Sequence, residues 1–316
     1  MEITIKDVAR LAGVSTATVS YVLNDSQKVS AATRAKVLQA VSALNYTPNT
    51  LARGLVGKKV NSIAVIVSTR FSQLSSEAGL TGLLQGIGAR TYKFDYSFSL
   101  LFQDQITDQL LLELRAKGVE GLILVDLYPD KKTNLPFPTV ICSWPEPAYF
   151  PYWTAFQLAF NHLAELGKNT ILFLIPNEFS NNPFIENNVA NLAAQIGIKI
   201  TILPTEATAP GGYVAADKLT ASLLPEAFVT FNDNLAIGVL RALTRKGLQV
   251  PVDIALVSCN DDPPASYAEP PLTTVRMPWF NLGERAVDLL IDNPQSRPPI
   301  LPKLVIRESC GSLFWV

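Results

Sequence analysis

The sequence predicts an α/β protein in two parts: a helix-turn-helix headpiece of three helices over residues 1–47, and a core over 61–316 of two subdomains built on parallel sheets, joined through residues 48–60. Three observations predict this. Helix caps and a glycine punctuate the first fifty residues. From Asn61 onward, short apolar runs alternate with helix-length segments. The charge balance also breaks near residue 60.

Thr4-Ile-Lys-Asp7 has capping-box spacing, and Ile5, Val8, Ala9 and Ala12 then fall on one helix face. Gly13 ends this helix. Ser15 is a second N-cap, and over 16–24 it turns Val19, Val22 and Leu23 inward and Thr16, Ala17, Ser20 and Tyr21 outward. Two short helices about a tight glycine turn make a helix-turn-helix. Ser30 caps a third helix through Leu44, with Val37, Val41 and Leu44 as its apolar stripe. Residues 48–55 are too short for a stable isolated helix, and Gly54 and Gly57 weaken them further.

In the core, the strand candidates are 62–68, 96–102, 121–125, 138–144, 170–176, 199–204, 227–233 and 253–260, with helical patterns such as 235–248 between them. Such alternation means parallel sheets covered by helices on both faces. Two such sheets fit the length, with a ligand cleft at the carboxyl ends of their strands.

The chain has 26 basic and 27 acidic side chains, a balance that hides an asymmetry. Residues 1–60 hold eight basic groups (Lys6, Arg10, Lys28, Arg34, Lys36, Arg53, Lys58, Lys59) and three acidic ones (Glu2, Asp7, Asp25), a net +5. The remainder carries −6. A basic module on an acidic body points to a polyanionic partner for the first part alone. No apolar run approaches membrane-spanning length, the longest being 63–67, and residues 1–10 lack a secretion signal, so a cytoplasmic protein is expected. Cys142, Cys259 and Cys310 are dispersed, which disfavours a disulfide framework or a cysteine zinc site. His162, the only histidine, lies in the helical pattern 156–167, where a structural role is expected. No metal or cofactor is expected. Nor does a nucleophile elbow, P-loop or dinucleotide fingerprint accompany Asp233, Asp261 and Asp262, so an enzyme is not expected.

Residues 4–24 (TIKDVARLAGVSTATVSYVLN), 29–49 (VSAATRAKVLQAVSALNYTPN) and 51–55 (LARGL) together resemble the DNA-binding headpiece of the lac repressor and galactose repressor family of bacterial transcription regulators. The resemblance implies that Thr16, Ala17 and Tyr21 read bases, with Ser15, Thr18 and Ser20 near the DNA backbone and Ser30, Thr33 and Tyr46 on phosphates. Thr4 and Asn24 complete the implied set. Tyr21 departs from the arginine common at its position, so bidentate guanine readout gives way to a hydroxyl or thymine-methyl contact. Residues 48–55 correspond to the hinge helix, with Leu55 as the wedge in the minor groove and Asn49, Ala52 and Arg53 beside it.

The resemblance continues through 116–125, 162–167, 231–251, 269–278, 282–290 and 304–309, and implies a core like periplasmic sugar-binding proteins, with crossings between subdomains near 145–153, 270–278 and 292–300. Sugar-binding members carry an arginine where Ile185 stands and an aspartate where Asn260 stands; both charges are missing here. Asn232, Asp233, Asp261 and Trp279 remain, and the aromatic run FPYW (150–153) replaces a polar segment. The expected effector residues are Phe71, Ser72, Trp144, Asn232, Asn260 and Trp279, with Trp153 a further lining candidate, and the ligand is expected to be smaller or less polar than a hexose.

The implied function is a dimeric regulator, a repressor, that binds a pseudopalindromic double-stranded DNA operator with an affinity set by a small-molecule effector. A regulator with a degenerate pocket and no effector is the alternative, and a small-molecule receptor a weaker one. If Leu55 is the wedge, Leu55→Ala weakens specific operator binding substantially and leaves salt-sensitive non-specific binding nearly unchanged, as measured by titration of both DNA types. Equal loss of both would remove the wedge role.

Overall fold

The computed structural model describes residues 3–23, 29–44, 46, 60–69, 71, 77–130, 134–142, 151–292 and 298–312. Residue contacts divide the chain into two compact units, Met1–Val60 and Asn61–Val316.

In the first unit, helix α1 spans Ile5–Ala12, α2 Thr16–Leu23 and α3 Ala31–Ala43. Asp7 reaches back at the start of α1, where its carboxylate accepts from the Thr4 backbone NH at 3.0 Å and from the Thr4 hydroxyl at 2.7 Å. Gly13 terminates α1 with a left-handed φ of 67°, and Val14 NH donates to Ala9 carbonyl at 3.0 Å, the Schellman pattern that a Cβ-bearing residue enters at a cost. The chain turns sharply there, and Ser15 Oγ accepts from Thr18 NH at 3.1 Å to open α2. Ser30 Oγ accepts from Thr33 NH at 3.3 Å to open α3. Val8, Ala9, Val19, Val22, Val37 and Ala40 form the buried centre, with Ile5, Ala12, Leu23, Val41, Leu44 and Tyr46 around it.

The second unit holds two sheets. The first has the order β2-β1-β3-β4, all parallel, from β1 (Ser62–Val67), β2 (Ser97–Phe102), β3 (Val119–Val125) and β4 (Thr139–Cys142). Both faces of β1 are buried: Ile63, Val65 and Val67 belong to the large core, whereas Ala64 and Ile66 pack with Leu111 and Leu114 of α5 (Asp108–Ala116). That is why this strand reads as an unbroken apolar run. Helix α4 (Glu77–Lys93) covers the first face together with α10 (Trp279–Ile291), which arrives from far along the chain.

The second sheet has the order β10-β9-β8-β7-β5-β6, from β5 (Thr170–Pro176), β6 (Lys199–Thr205), β7 (Ala227–Thr230), β8 (Ala255–Asn260), β9 (Thr273–Arg276) and β10 (Lys303–Val305). All its pairs are parallel except β9 with β10. Helices α6 (Tyr152–Glu165), α7 (Pro183–Ile196), α8 (Ala209–Asp217) and α9 (Asp233–Arg245) belong to this sheet. The chain passes from the first sheet to the second between Cys142 and Tyr152, returns between Arg276 and Trp279, and passes again between Ile291 and Lys303.

Several strands differ from expectation at their ends, β3 for example beginning at Val119 and not at 121. The apolar run at 227–233 is a strand only to Thr230, because Asn232 caps α9, its side chain accepting from Leu235 NH at 2.9 Å. The run at 253–260 begins its strand at Ala255. The short strands β9 and β10, four and three residues long, fall below the length at which alternation is readable.

Helices α4 and α10 cross with backbones in contact through Gly82, Gly86 and Gly283; a Cβ on Gly86 would land on the Phe280 carbonyl oxygen. Beside this crossing, Arg90 and Asp288 form a largely buried ion pair. Gly86→Ala should therefore force the helices apart and destabilise the protein by about 1–3 kcal/mol, read as a lowered thermal midpoint. An unchanged midpoint would show that the crossing is looser than drawn.

Candidate functional site

The face of α2 away from the headpiece core presents short polar and small side chains. Thr16 and Ala17 are exposed, Tyr21 is 50% exposed, and Thr18 and Ser20 are half-buried. Ala17 and Tyr21, four residues apart, share that face. Ser15 and Thr18 bond each other through their hydroxyls at 2.9 Å, as do Ser30 and Thr33, so both pairs sit at helix N-termini with exposed or half-buried hydroxyls beside backbone NH groups. Helix N-termini favour phosphate. Thr4 is exposed at the start of α1, and Tyr46 is half-buried against the headpiece core. Asn24, Asn49, Ala52, Arg53 and Leu55 lie outside the described residues, as do Ser72 and Trp144 of the expected effector set.

The second assembly lies where the carboxyl ends of β3 and β8 converge on Tyr152, the first residue of α6. Burial pushes the Tyr152 phenol well above its usual value, and Cys259, Asp126 and Asp262 add to the shift; Asp126 follows β3, and Cys259 and Asp262 stand at the end of β8. A row of rings crosses this region. Phe71, after β1, meets Trp279 edge-on at 6.1 Å between centroids, Trp279 meets Tyr152 at 5.8 Å, Tyr152 stacks on Phe231 at 5.0 Å, and Phe231 reaches Phe179 at 5.6 Å. All five are buried. The structure thus brings Phe71 and Trp279 together. It also adds Tyr152, Phe179, Phe231 and Asp126, which were not expected. Tyr152 stands in the aromatic run FPYW; Asp126 carried a weaker signal, an acid directly after a strand at a positive φ of 49°.

Asp233 organises the end of β8. Its buried carboxylate accepts from the Asp262 backbone NH at 2.7 Å, from the Thr274 hydroxyl at 2.9 Å and from the Ser258 hydroxyl. Desolvation nevertheless dominates, and with the like charge of Asp262 it raises the Asp233 carboxyl to about 7 against the pull of those three bonds. The next turn holds two consecutive left-handed residues, Asn260 at φ 110° and Asp261 at φ 60°. Strain of this kind persists only where the surroundings over-determine it. Asp261 is clamped by Arg276 Nη2 at 2.6 Å and Arg307 Nη2 at 2.7 Å.

The expected pair Asn232 and Asn260 separate in role. Asn232 uses both ends of its amide on backbone, accepting from Leu235 NH and donating to the Ala207 carbonyl at 3.2 Å. Asn260 is 3% exposed, and among the described residues neither its Oδ1 nor its Nδ2 has a hydrogen-bond partner. Leaving such a group unmatched costs on the order of 1–3 kcal/mol, which a ligand carrying a donor and an acceptor would recover. Ile185 is buried in apolar surroundings and offers no charge.

Two family models match the chain: the one for bacterial regulatory proteins of the lacI family over residues 4–49, and the one for the periplasmic binding protein-like domain over 160–310. The HTH-type transcriptional repressor PurR of Haemophilus influenzae (strain PittEE) is 31% identical over 98% of this chain and 99% of its own length. The ribose operon repressor of Escherichia coli (strain K12) is 32% identical over 97% and 99%. Among solved structures, the lac repressor dimer bound to operator and the anti-inducer ONPF superimposes with a TM-score of 0.81 at 28% identity, covering 98% of this chain and 99% of that one.

The Asp233 carboxyl titrates higher in the folded chain than its ordinary 3.8, so the folded protein holds this proton more tightly. Its stabilising effect is complete below pH about 4 and is lost as pH rises toward about 7, a change of order 4 kcal/mol at about 1.4 kcal/mol per pH unit. Asp233→Asn should remove this component, so that the difference in urea unfolding free energy between wild type and variant changes across pH 4.5 to 7.5 and is flat above. A difference constant with pH would show that Asp233 is ionised throughout.

Proposed function

The chain belongs to the lacI family of bacterial regulatory proteins, and from that membership we propose a division of labour for its residues. The protein is a sequence-specific DNA-binding transcription repressor that acts as a dimer with a small-molecule effector. In our proposal residues 1–47 read the operator, 48–60 form the hinge, and 61–316 bind effector and hold the dimer together. The observation that carries the DNA reading is the outer face of α2, where Thr16, Ala17 and Tyr21 are exposed above an apolar core that leaves them no structural task.

Tyr21 sets specificity through its ring and hydroxyl, and Ser15, Thr18, Ser20, Ser30, Thr33 and Tyr46 fix the register on phosphate. These residues carry few charges, so the +5 net charge of residues 1–60 supplies the sequence-independent attraction. Two copies meet through the groove between α8 and α9, of about 1190 Å³, where Tyr213, Ile237 and Leu240 line an apolar floor and Tyr267 stands 88% exposed at the rim. A single headpiece reads too few bases for high specificity, and a two-fold pair reads a pseudopalindrome.

In the core, Asn260 contacts effector, with Phe71 and Trp279 as walls; Asn232 acts through the helix it caps. A second reading has its own support: Phe71, Trp279, Tyr152 and Phe231 are buried against one another, as in a regulator without effector. In either case, the absence of an arginine at Ile185 disfavours a typical hexose.

DNA selected from a random pool by the full-length protein should converge on a pseudopalindrome. Tyr21→Ala should relax the same position in both half-sites, at a cost of about 1–3 kcal/mol. Tyr267→Arg should yield monomer by sedimentation and lose the two-fold consensus. Binding without sequence preference, or a consensus untouched by Tyr21→Ala, would overturn the assignment.

A further inference from the structure

The only histidine of the chain faces a thiol. His162 Nε2, on α6, lies 3.3 Å from Sγ of Cys310, which closes a short 3-10 turn at Glu308–Cys310, 148 positions away. The same sulfur meets the Ser312 hydroxyl at 3.1 Å and the Arg307 carbonyl at 3.6 Å. An imidazole and a hydroxyl from separate segments therefore converge on one nucleophile, at a place the DNA and effector assemblies do not use.

The three cysteines differ in surroundings. Burial pushes the Cys310 thiol up, but bonds from His162, Ser312 and Thr273 outweigh it and bring the group down to about 7. Burial and the neighbouring Asp233 push Cys259 well above its usual value. Cys142 is fully buried at the end of β4. Cys310 is 2% exposed, yet Gly311 and Ser312, which follow it, are only half-buried. Peroxide reaches the buried sulfur when this segment opens locally.

We propose that Cys310, primed by His162, is an oxidative modification site that a small hydroperoxide converts to the sulfenic acid, and that this change disturbs the turn at the end of β8. The thiolate sulfur attacks the terminal peroxide oxygen; the S–O bond forms as the O–O bond breaks, and the departing oxygen takes the proton held at His162 Nε2 and leaves as water from hydrogen peroxide, or as the alcohol from an alkyl hydroperoxide. Sulfur is oxidised by two electrons and the hydroperoxide is reduced by two.

The consequence follows from the contacts of the turn. Sγ has the His162 ring, the Ser312 hydroxyl and the Arg307 carbonyl within 3.1 to 3.6 Å, so an added oxygen displaces these contacts and shifts the segment 307–310. Arg307 moves with it, and its guanidinium holds Asp261 at 2.7 Å and the Leu272 carbonyl at 2.7 Å. Asp261 follows Asn260 directly, and both are left-handed. The sulfur is thus coupled to the strained turn through one arginine.

The test uses the reduced full-length protein with limiting hydrogen peroxide and dimedone as sulfenate trap, the adduct at each cysteine being counted by peptide mass spectrometry. Adduct at Cys310 should exceed that at Cys142 and Cys259 by about tenfold, and His162→Phe, with its thermal melt checked, should lower it by about tenfold. Peroxide should weaken operator binding by the wild type and leave Cys310→Ser unaffected. Equal labelling of the three thiols, or labelling at Cys310 that His162→Phe does not change, overturns the priming. Operator binding unchanged by full Cys310 oxidation overturns the coupling. Should His162→Phe not fold, the wild-type ranking of the three thiols decides.

Discussion

A carboxylate buried where a strand, a turn and a helix meet has to be matched on every side, and much of the second subdomain is arranged around that requirement at Asp233. Its donors come from β8 (Ser258), β9 (Thr274) and the turn between them (Asp262 NH). An ion in such a place costs several kcal/mol unless bonded this fully. To deliver the Asp262 NH, the backbone passes through two left-handed residues, a route that neither Asn260 nor Asp261 would take unaided. Asp261 is then turned toward Arg276 and Arg307, while the Asn260 amide is left with no partner among the described residues. An unmatched amide follows from satisfying a carboxylate nearby.

The opposite side of the cleft depends on a different constraint, the approach of two helix backbones. Glycines at 82, 86 and 283 let α10 lie directly on α4, which fixes the start of α10 and hence the place of Trp279. That indole stands between Phe71 of the first subdomain and Tyr152 of the second. The Trp279–Tyr152 contact crosses between the subdomains and is short-ranged and apolar, so a small rotation of one against the other breaks it. A ligand that binds one arrangement better than the other shifts the balance by its difference in affinity, about 1–3 kcal/mol in typical cases.

The sequence disclosed these two halves unequally. Strands such as 62–67 and 170–176 were legible because burial on both faces leaves an unbroken apolar run, and the headpiece was legible because caps and Gly13 are local chemistry. Asn232 shows where legibility stops: its placement near the cleft could be read, but the use of its whole amide on Leu235 and Ala207 depends on a contact twenty-five residues away. Tyr152 was obscured by the tryptophans around it, since a run of aromatics does not reveal which ring turns inward. The pairing of His162 with Cys310 spans 148 positions and joins a helix to the turn at Glu308–Cys310, and no periodicity records such a contact.

The headpiece achieves its exposed reading face by economy of core. Among the described residues its buried side chains are valines and alanines: Val8, Ala9, Val19, Val22, Val37 and Ala40. Burying a valine contributes roughly 1.5 kcal/mol or more, and an alanine less, so the sum is small against the ordering of some forty residues. Caps at Thr4, Ser15 and Ser30 therefore supply a sizeable share of its stability, each worth about 1 kcal/mol. The cap serines bond their own helices and stand at the N-terminal ends where phosphate would sit. Under the proposed phosphate contacts, a phosphate at those ends would strengthen helices that the core alone holds weakly, and DNA binding and headpiece stability would draw on the same hydroxyls and backbone NH groups.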